Sequence, residues 1–187
     1  SGEGSYYKAA QEMKNIELYS IGIDRENKND HFINLDLADY SYIFTKKNNI
    51  FNKLDKLPKP DLIIASPPCE SWSNASAMTD GNACWKREKV DDTMLEPQYS
   101  LSRFTIREFK DFDNTQFKPY SQILTRINGE LTIYNTIQII NRYKPTVYII
   151  ENPAHGRIWE YIDKVLGFDI KHKHITNYNN YDYPIKK

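Results

Sequence analysis

Cysteine is scarce in this chain, with only Cys69 and Cys84 among 187 residues. No charged stretch followed by an apolar one opens the sequence, so a secreted disulfide scaffold is a poor reading and a reduced, cytoplasmic protein is expected. Two thiols cannot build a four-thiolate zinc site, and His31, His155, His172 and His174 stand in no finger spacing with them, so no structural metal is expected. An excess of one charge is missing too, because 25 basic side chains face 25 acidic ones. No global field therefore advertises a nucleic-acid partner. No apolar run approaches the roughly 20 residues that a membrane helix needs, and neither internal repeats nor low-complexity tracts occur. What remains is 40% hydrophobic and 13% aromatic, enough for one domain with a real core.

Apolar periodicity organises that domain. Ser1-Gly2-Glu3-Gly4-Ser5 reads as a glycine-rich turn leading into a helix from Tyr6, with Ser5 as its N-cap. Leu18 to Ile23 and Ile33 to Leu37 read as short strands closed by Asp24 and Asp36, and Tyr40 to Leu57 as one polar helix. Asp61 to Ala65 and Val147 to Ile150 are compact apolar runs of the kind buried on both faces of a parallel sheet. Between them Ile133, Ile137 and Ile140 recur at helical spacing until Lys144-Pro145 ends the helix. The segment from about 75 to 121 is irregular, charged and aromatic, and too long for an ordinary connection, so it reads as an insertion. Alternating strands and helices imply an α/β fold with a mostly parallel sheet flanked by helices, whose ligands gather beyond the carboxyl ends of the strands.

The chemically suggestive residues fall at those ends. A glycine turn feeding a helix, followed by an acid closing the next strand, suits a nucleoside ligand, with Gly2, Gly4 and Asp24 in those parts; a strand-ending Asp is also an ordinary cap or turn residue. In Ser66-Pro67-Pro68-Cys69-Glu70-Ser71-Trp72-Ser73, two prolines stiffen the backbone and present Cys69 directly after a strand. That placement suits a nucleophile, and equally a half-buried, inert thiol. Glu151-Asn152-Pro153 delivers an acid from the end of a strand expected to neighbour the one that carries Cys69. Asn152 either orients the Cys69 loop or simply ties two loops together.

Taken together, these segments resemble the DNA (cytosine-5) methyltransferase family, in the family's order along nearly the whole chain. Pro67-Pro68-Cys69 with Ser73 matches the nucleophile motif, and Glu151-Asn152 the motif whose glutamate holds the target cytosine. Ser1-Gly2-Glu3-Gly4-Ser5 looks like the end of the S-adenosylmethionine loop, Asp24-Arg25 like the ribose-binding position and Asp36-Leu37 like the pair that reads adenine. Arg126 to Leu131 followed by a helix looks like the family's Arg-Gly-x-Leu stretch. The resemblance implies a Rossmann-like methyltransferase fold and methyl transfer from S-adenosyl-L-methionine to carbon 5 of a flipped cytosine in DNA. Cys69, Glu151, Asn152 and Ser73 would then be catalytic. Gly2, Glu3, Gly4, Ser5, Asp24, Arg25, Asp36, Leu37 and Pro67 would hold the cofactor, and Pro68 and Arg126 the substrate.

The sequence also departs from that family. Pro153 stands where valine is usual, the insertion widens the gap between Cys69 and Glu151, and no apolar strand precedes Gly2, so the first strand is expected to be missing or the sequence to be a fragment. Beyond Arg157 no arginine occurs, and the terminal Tyr181-Asp182-Tyr183-Pro184-Ile185-Lys186-Lys187 resembles the tail of small phage-type members that lack a separate recognition domain. These gaps motivate the alternative of a catalytically silent regulatory subunit working with a partner that recognises the target; a cytosine methyltransferase acting on RNA and an amine methyltransferase in which Cys69 is a spectator are further alternatives. Basic and acidic residues nearly balance between Lys86 and Arg126, so the insertion is no basic patch, although Trp85, Phe104, Phe109, Phe112, Phe117 and Tyr120 offer stacking surfaces.

Overall fold

The computed structural model describes residues 5–23, 31–73, 85–89, 102–112 and 119–177. Helix α1 (Ser5–Gln11) precedes strands β1 (Ser20–Gly22) and β2 (Phe32–Asn34), which pair in parallel with Ile21 opposite Ile33. Two short helices follow, α2 (Tyr42–Thr45) and α3 (Asn49–Leu54), where one polar helix was expected. The break lies at Lys46, whose backbone is left-handed (φ 57°). A fresh start follows at Asn48, whose side chain accepts the Phe51 N–H at 3.1 Å and so satisfies an amide that has no partner within the first turn.

Strand β3 (Leu62–Ala65) pairs in parallel with β6 (Val147–Ile150), Leu62 opposite Val147 and Ala65 opposite Ile150. Contrary to the expectation of burial on both faces, the pair is two-sided. Ile63, Tyr148 and Ile150 pack inward, whereas Leu62, Ile64, Val147 and Ile149 are between 39% and 50% exposed. The continuous apolar run hides this alternation, because both faces carry aliphatic side chains. Within the segment read as irregular, β4 (Trp85–Lys89) and β5 (Ser102–Ile106) form an antiparallel pair, followed by a 3₁₀ turn at Phe109–Phe112. The described strands thus form three two-stranded sheets, two of them parallel.

Helix α4 (Pro119–Tyr143) starts well before Ile133. Proline is tolerated in a first turn, where its missing N–H has no intrahelical partner, and the helix ends before Lys144 (φ 45°) and Pro145. It serves two cores. Ile133, Ile137 and Ile140 join Trp72 with Ile158 and Ile162 of α5 (Ile158–Lys164). Ile139 instead joins Leu35 with Ile50 and Leu54. No helix among the described residues is long and apolar enough to cross a membrane.

Candidate active site

At the carboxyl end of β3 the chain leaves the strand through Ser66, Pro67 and Pro68 and closes at once into a single 3₁₀ turn, Cys69–Ser71. The amides of Trp72 and Ser73 both donate to the Cys69 carbonyl at 3.0 Å. This tight turn leaves the Cys69 thiol exposed. Two neighbours hold it from below. Ser71 Oγ donates to the Thr125 carbonyl of α4 at 2.6 Å. Trp72, 1% exposed, is buried in the core with its ring 4.9 Å from that of Tyr161. Burial and then the charge of Glu130 push the Tyr161 hydroxyl above its ordinary range. Gly129 makes this docking possible, since a Cβ there would overlap the Ser71 side chain and lie 3.3 Å from Trp72 Nε1.

The second loop leaves the neighbouring strand at the same edge. The Glu151 N–H donates to the Ala65 carbonyl at 2.8 Å, which extends the parallel pairing by one residue and leaves the Glu151 side chain exposed. Asn152, only 9% exposed, donates from Nδ2 to the Pro67 carbonyl at 2.9 Å. Farther along, the Arg157 N–H donates to the Trp72 carbonyl at 3.0 Å. Three hydrogen bonds therefore stitch the loop of Glu151 to the loop of Cys69. A turn from Pro153 to Gly156, closed at 2.8 Å, separates the last two bonds. A Cβ at Gly156 would come within 2.9 Å of the Pro153 carbonyl.

On the side expected to hold the cofactor, Gly2, Glu3, Gly4, Asp24 and Arg25 lie outside the described residues, as does Cys84. Ser5 is the first residue of α1, and the next residue, Tyr6, shares a hydrogen bond with Ser66 at 3.2 Å. Helix α1 thus touches the loop that leads to Cys69. Asp36 follows β2 and is exposed, with Oδ1 accepting the Ala38 N–H at 2.8 Å; its other oxygen has no donor among the described residues. Leu37 is half-buried against the second core, and its carbonyl accepts from Asn135 at 2.7 Å. An exposed carboxylate with one oxygen open among the described residues, beside a half-buried aliphatic side chain, is a pair that could take hydroxyl or amine groups and cover a ring face. Pro67 is buried and its carbonyl accepts from Asn152, so this residue serves the junction of the two loops rather than an exposed cofactor surface.

Arg126 lies inside α4 rather than ahead of a helix. Its Nε is 2.6 Å from Glu130 Oε1, and its guanidinium is 4.5 Å from the centroid of Trp85. Arg157, from the turn before α5, lies over the same ring at 4.5 Å. Burial, together with the repulsion of Arg126 and against the attraction of Glu160, pulls the Arg157 guanidinium down to about 9. A guanidinium nonetheless keeps its proton in proteins, so Arg157 stays a cation that burial has desolvated. These two arginines fasten the β4–β5 pair to the body through Trp85.

Sequence reasoning overlooked Ser71, Trp72, Gly129 and Asn135. Gly129 left a trace, as a glycine in the middle of a helical pattern; Asn135, set among Thr132, Thr136 and Gln138, stands as one more polar residue. Ser71 and Trp72 left none, because a polar turn residue and an aromatic look alike whether docked or solvated. No protein-family model, no curated protein and no solved structure matches this chain.

Proposed function

We propose that the chain is an S-adenosylmethionine-dependent DNA (cytosine-5) methyltransferase of the cytoplasm, with a Rossmann-like sheet to which the two parallel strand pairs belong. The observation that supports this reading is the meeting of two loops at one sheet edge. The in-register pair β3–β6 delivers Cys69 and Glu151 from adjacent strands, and the Asn152 bond to the Pro67 carbonyl locks their loops together.

The chemistry follows from the pyrimidine. Carbon 5 of cytosine is a poor nucleophile, so the Cys69 thiolate adds at carbon 6 and pushes electron density toward carbon 5. Glu151 engages N3 and the exocyclic amine, holding the ring and stabilising the electron-rich adduct. S-adenosylmethionine, when bound, would supply the methyl group to carbon 5 through its electrophilic sulfonium carbon and leave as S-adenosylhomocysteine. Loss of the carbon 5 proton then expels Cys69 and restores the double bond of the ring. A cytosine inside a duplex does not expose these edges, so the base must be flipped out first. Both Cys69 and the Glu151 side chain are exposed, which supports such an approach.

The test is a mechanism-based trap. Incubated with S-adenosylmethionine and duplex DNA containing 5-fluorocytosine, the protein is expected to form an adduct that survives denaturation, because fluorine cannot leave as the proton does. Cys69→Ala should form none, and Glu151→Gln should form it about a hundredfold more slowly or worse. An absent adduct, or normal methylation by Cys69→Ala, rejects the reading; an adduct on 5-fluorocytosine RNA but not on DNA moves the substrate to RNA.

A further inference from the structure

The proposed chemistry needs two loops at a set separation, one carrying Cys69 and the other carrying Asp36. Both are fastened to α4. At its N-terminal half, Thr125 accepts the Ser71 hydroxyl at 2.6 Å and Gly129 seats the Ser71 side chain. Farther along, Asn135 Nδ2 donates to the Leu37 carbonyl at 2.7 Å and to the Asp39 carbonyl at 3.2 Å. The helical rise puts Thr125 and Asn135 about 15 Å apart along the axis. Ile133 seats the helix in one packed cluster between the two points, and just beyond Asn135 the helix is seated by Ile137 and Ile140 in that cluster and by Ile139 in the other, so it does not shift without disturbing a core.

Asn135 is 3% exposed. Ile139, one helical turn on, packs against Leu35, Ile50 and Leu54, so that stripe of the helix accepts an aliphatic side chain. A buried amide there costs desolvation that an aliphatic residue would not, and what it gains is a grip on two carbonyls of a single turn. That turn is the one whose other side is closed by Asp36 Oδ1 and the Ala38 N–H. We propose that Asn135 is a positioning residue for the nucleoside end of S-adenosylmethionine. It holds the turn from Asp36 to Asp39, and with it the Asp36 carboxylate, at the distance from Cys69 that α4 sets. The inference rests on the methyltransferase reading above.

The test uses the whole 187-residue chain, with S-adenosylhomocysteine as the probe in calorimetric titration and adduct formation on the 5-fluorocytosine duplex at saturating S-adenosylmethionine as the second readout. Asn135→Ala is expected to bind the probe about tenfold more weakly and to form the adduct more slowly than the wild type even at saturation, because the Asp36 turn no longer keeps its distance from Cys69. Asn135→Ser, which keeps a donor of shorter reach, should fall between, and covers the case in which the alanine variant does not fold. Thr136→Ala is the control for general loosening of the helix. Thr136 is equally buried, but its hydroxyl donates to Thr132 within α4, so its loss should lower thermal stability without changing probe affinity. Equal affinity in the Asn135 variants, an equal loss in Thr136→Ala, or failure of both Asn135 variants to fold overturns the inference and leaves the methyltransferase reading standing. A wild-type chain that neither binds the probe nor forms the adduct overturns both.

Discussion

Asp55 gathers three partners that the sequence scatters. Arg142 approaches it with Nε at 2.9 Å and Nη2 at 2.7 Å, and the Tyr143 hydroxyl donates to it at 2.7 Å. The Arg142 guanidinium also lies 4.7 Å from the centroid of Phe51, so the end of α4 is clipped to α3 by charge and by ring contact. Hydrogen bonds from Arg142 and Tyr143 hold the Asp55 carboxyl below its usual range, while burial first and Asp55 second push the Tyr143 hydroxyl up to about 12. The signs are opposite. A depressed carboxyl supports the fold above its unfolded value near 3.9 and loses that support as pH falls through the folded value. A raised phenol supports the fold below its unfolded value near 10 and loses that support as pH climbs toward 12. We expect Tyr143→Phe to flatten part of the alkaline decline between about pH 10 and 12. Only part will go, because burial and Tyr134 raise Tyr42 to about 12 as well. Thermal melts of both proteins across that range check it: a stability difference that stays constant with pH would remove Tyr143 from the alkaline limb.

Between elements, the decisive contact is the seat of the Cys69–Ser71 turn on α4. Glycine in a helix interior costs roughly 1 kcal/mol relative to alanine, so Gly129→Ala ought to stabilise the helix taken alone. Here the added methyl overlaps Ser71, and such overpacking costs about 1–3 kcal/mol. The expected net result is a lower melting temperature together with weaker adduct formation, because the turn that presents Cys69 is displaced. Gly129→Ala with Ser71→Gly should recover part of both, since it relieves the overlap but also removes the Ser71 bond to Thr125, and a double variant no better than the single one would place the damage elsewhere. This contact also marks how far the sequence was legible. The apolar runs at 62–65 and 147–150 announced strands through composition alone, and their carboxyl ends drew attention to Cys69 and Glu151. The exposed outer face of those strands was hidden because aliphatic residues occupy both sides. The β4–β5 pair was hidden because Trp85 to Lys89 is mostly charged and lacks alternation. The helix break at Lys46 depended on a left-handed backbone that lysine does not advertise. Asn135 looked like one more polar residue until its acceptors, 96 and 98 positions away, came into view.

Over the whole molecule, α4 is the member that the two cores share. Ile137 belongs to the cluster with Trp72, Ile158 and Ile162, and Ile139 to the cluster with Leu35, Ile50 and Leu54. Ile63 of β3 packs against both, so the clusters are coupled through a strand as well as through the helix. If the described body unfolds as one unit, damage to either cluster must appear in both. Ile137→Ala, at 3% exposure, and Ile139→Ala, at 9%, each remove buried methyl groups and should cost about 2–5 kcal/mol, with Ile139 nearer the lower figure because it is less completely enclosed. Urea unfolding followed by tryptophan fluorescence weights the first cluster, where Trp72 lies; far-UV circular dichroism weights the helices of both. The two probes should move together to lower urea in each variant, with a single midpoint and an unchanged slope. A variant in which fluorescence and dichroism separate would mean that the clusters melt independently, and α4 could then not hold the loops of Cys69 and Asp36 at a common spacing.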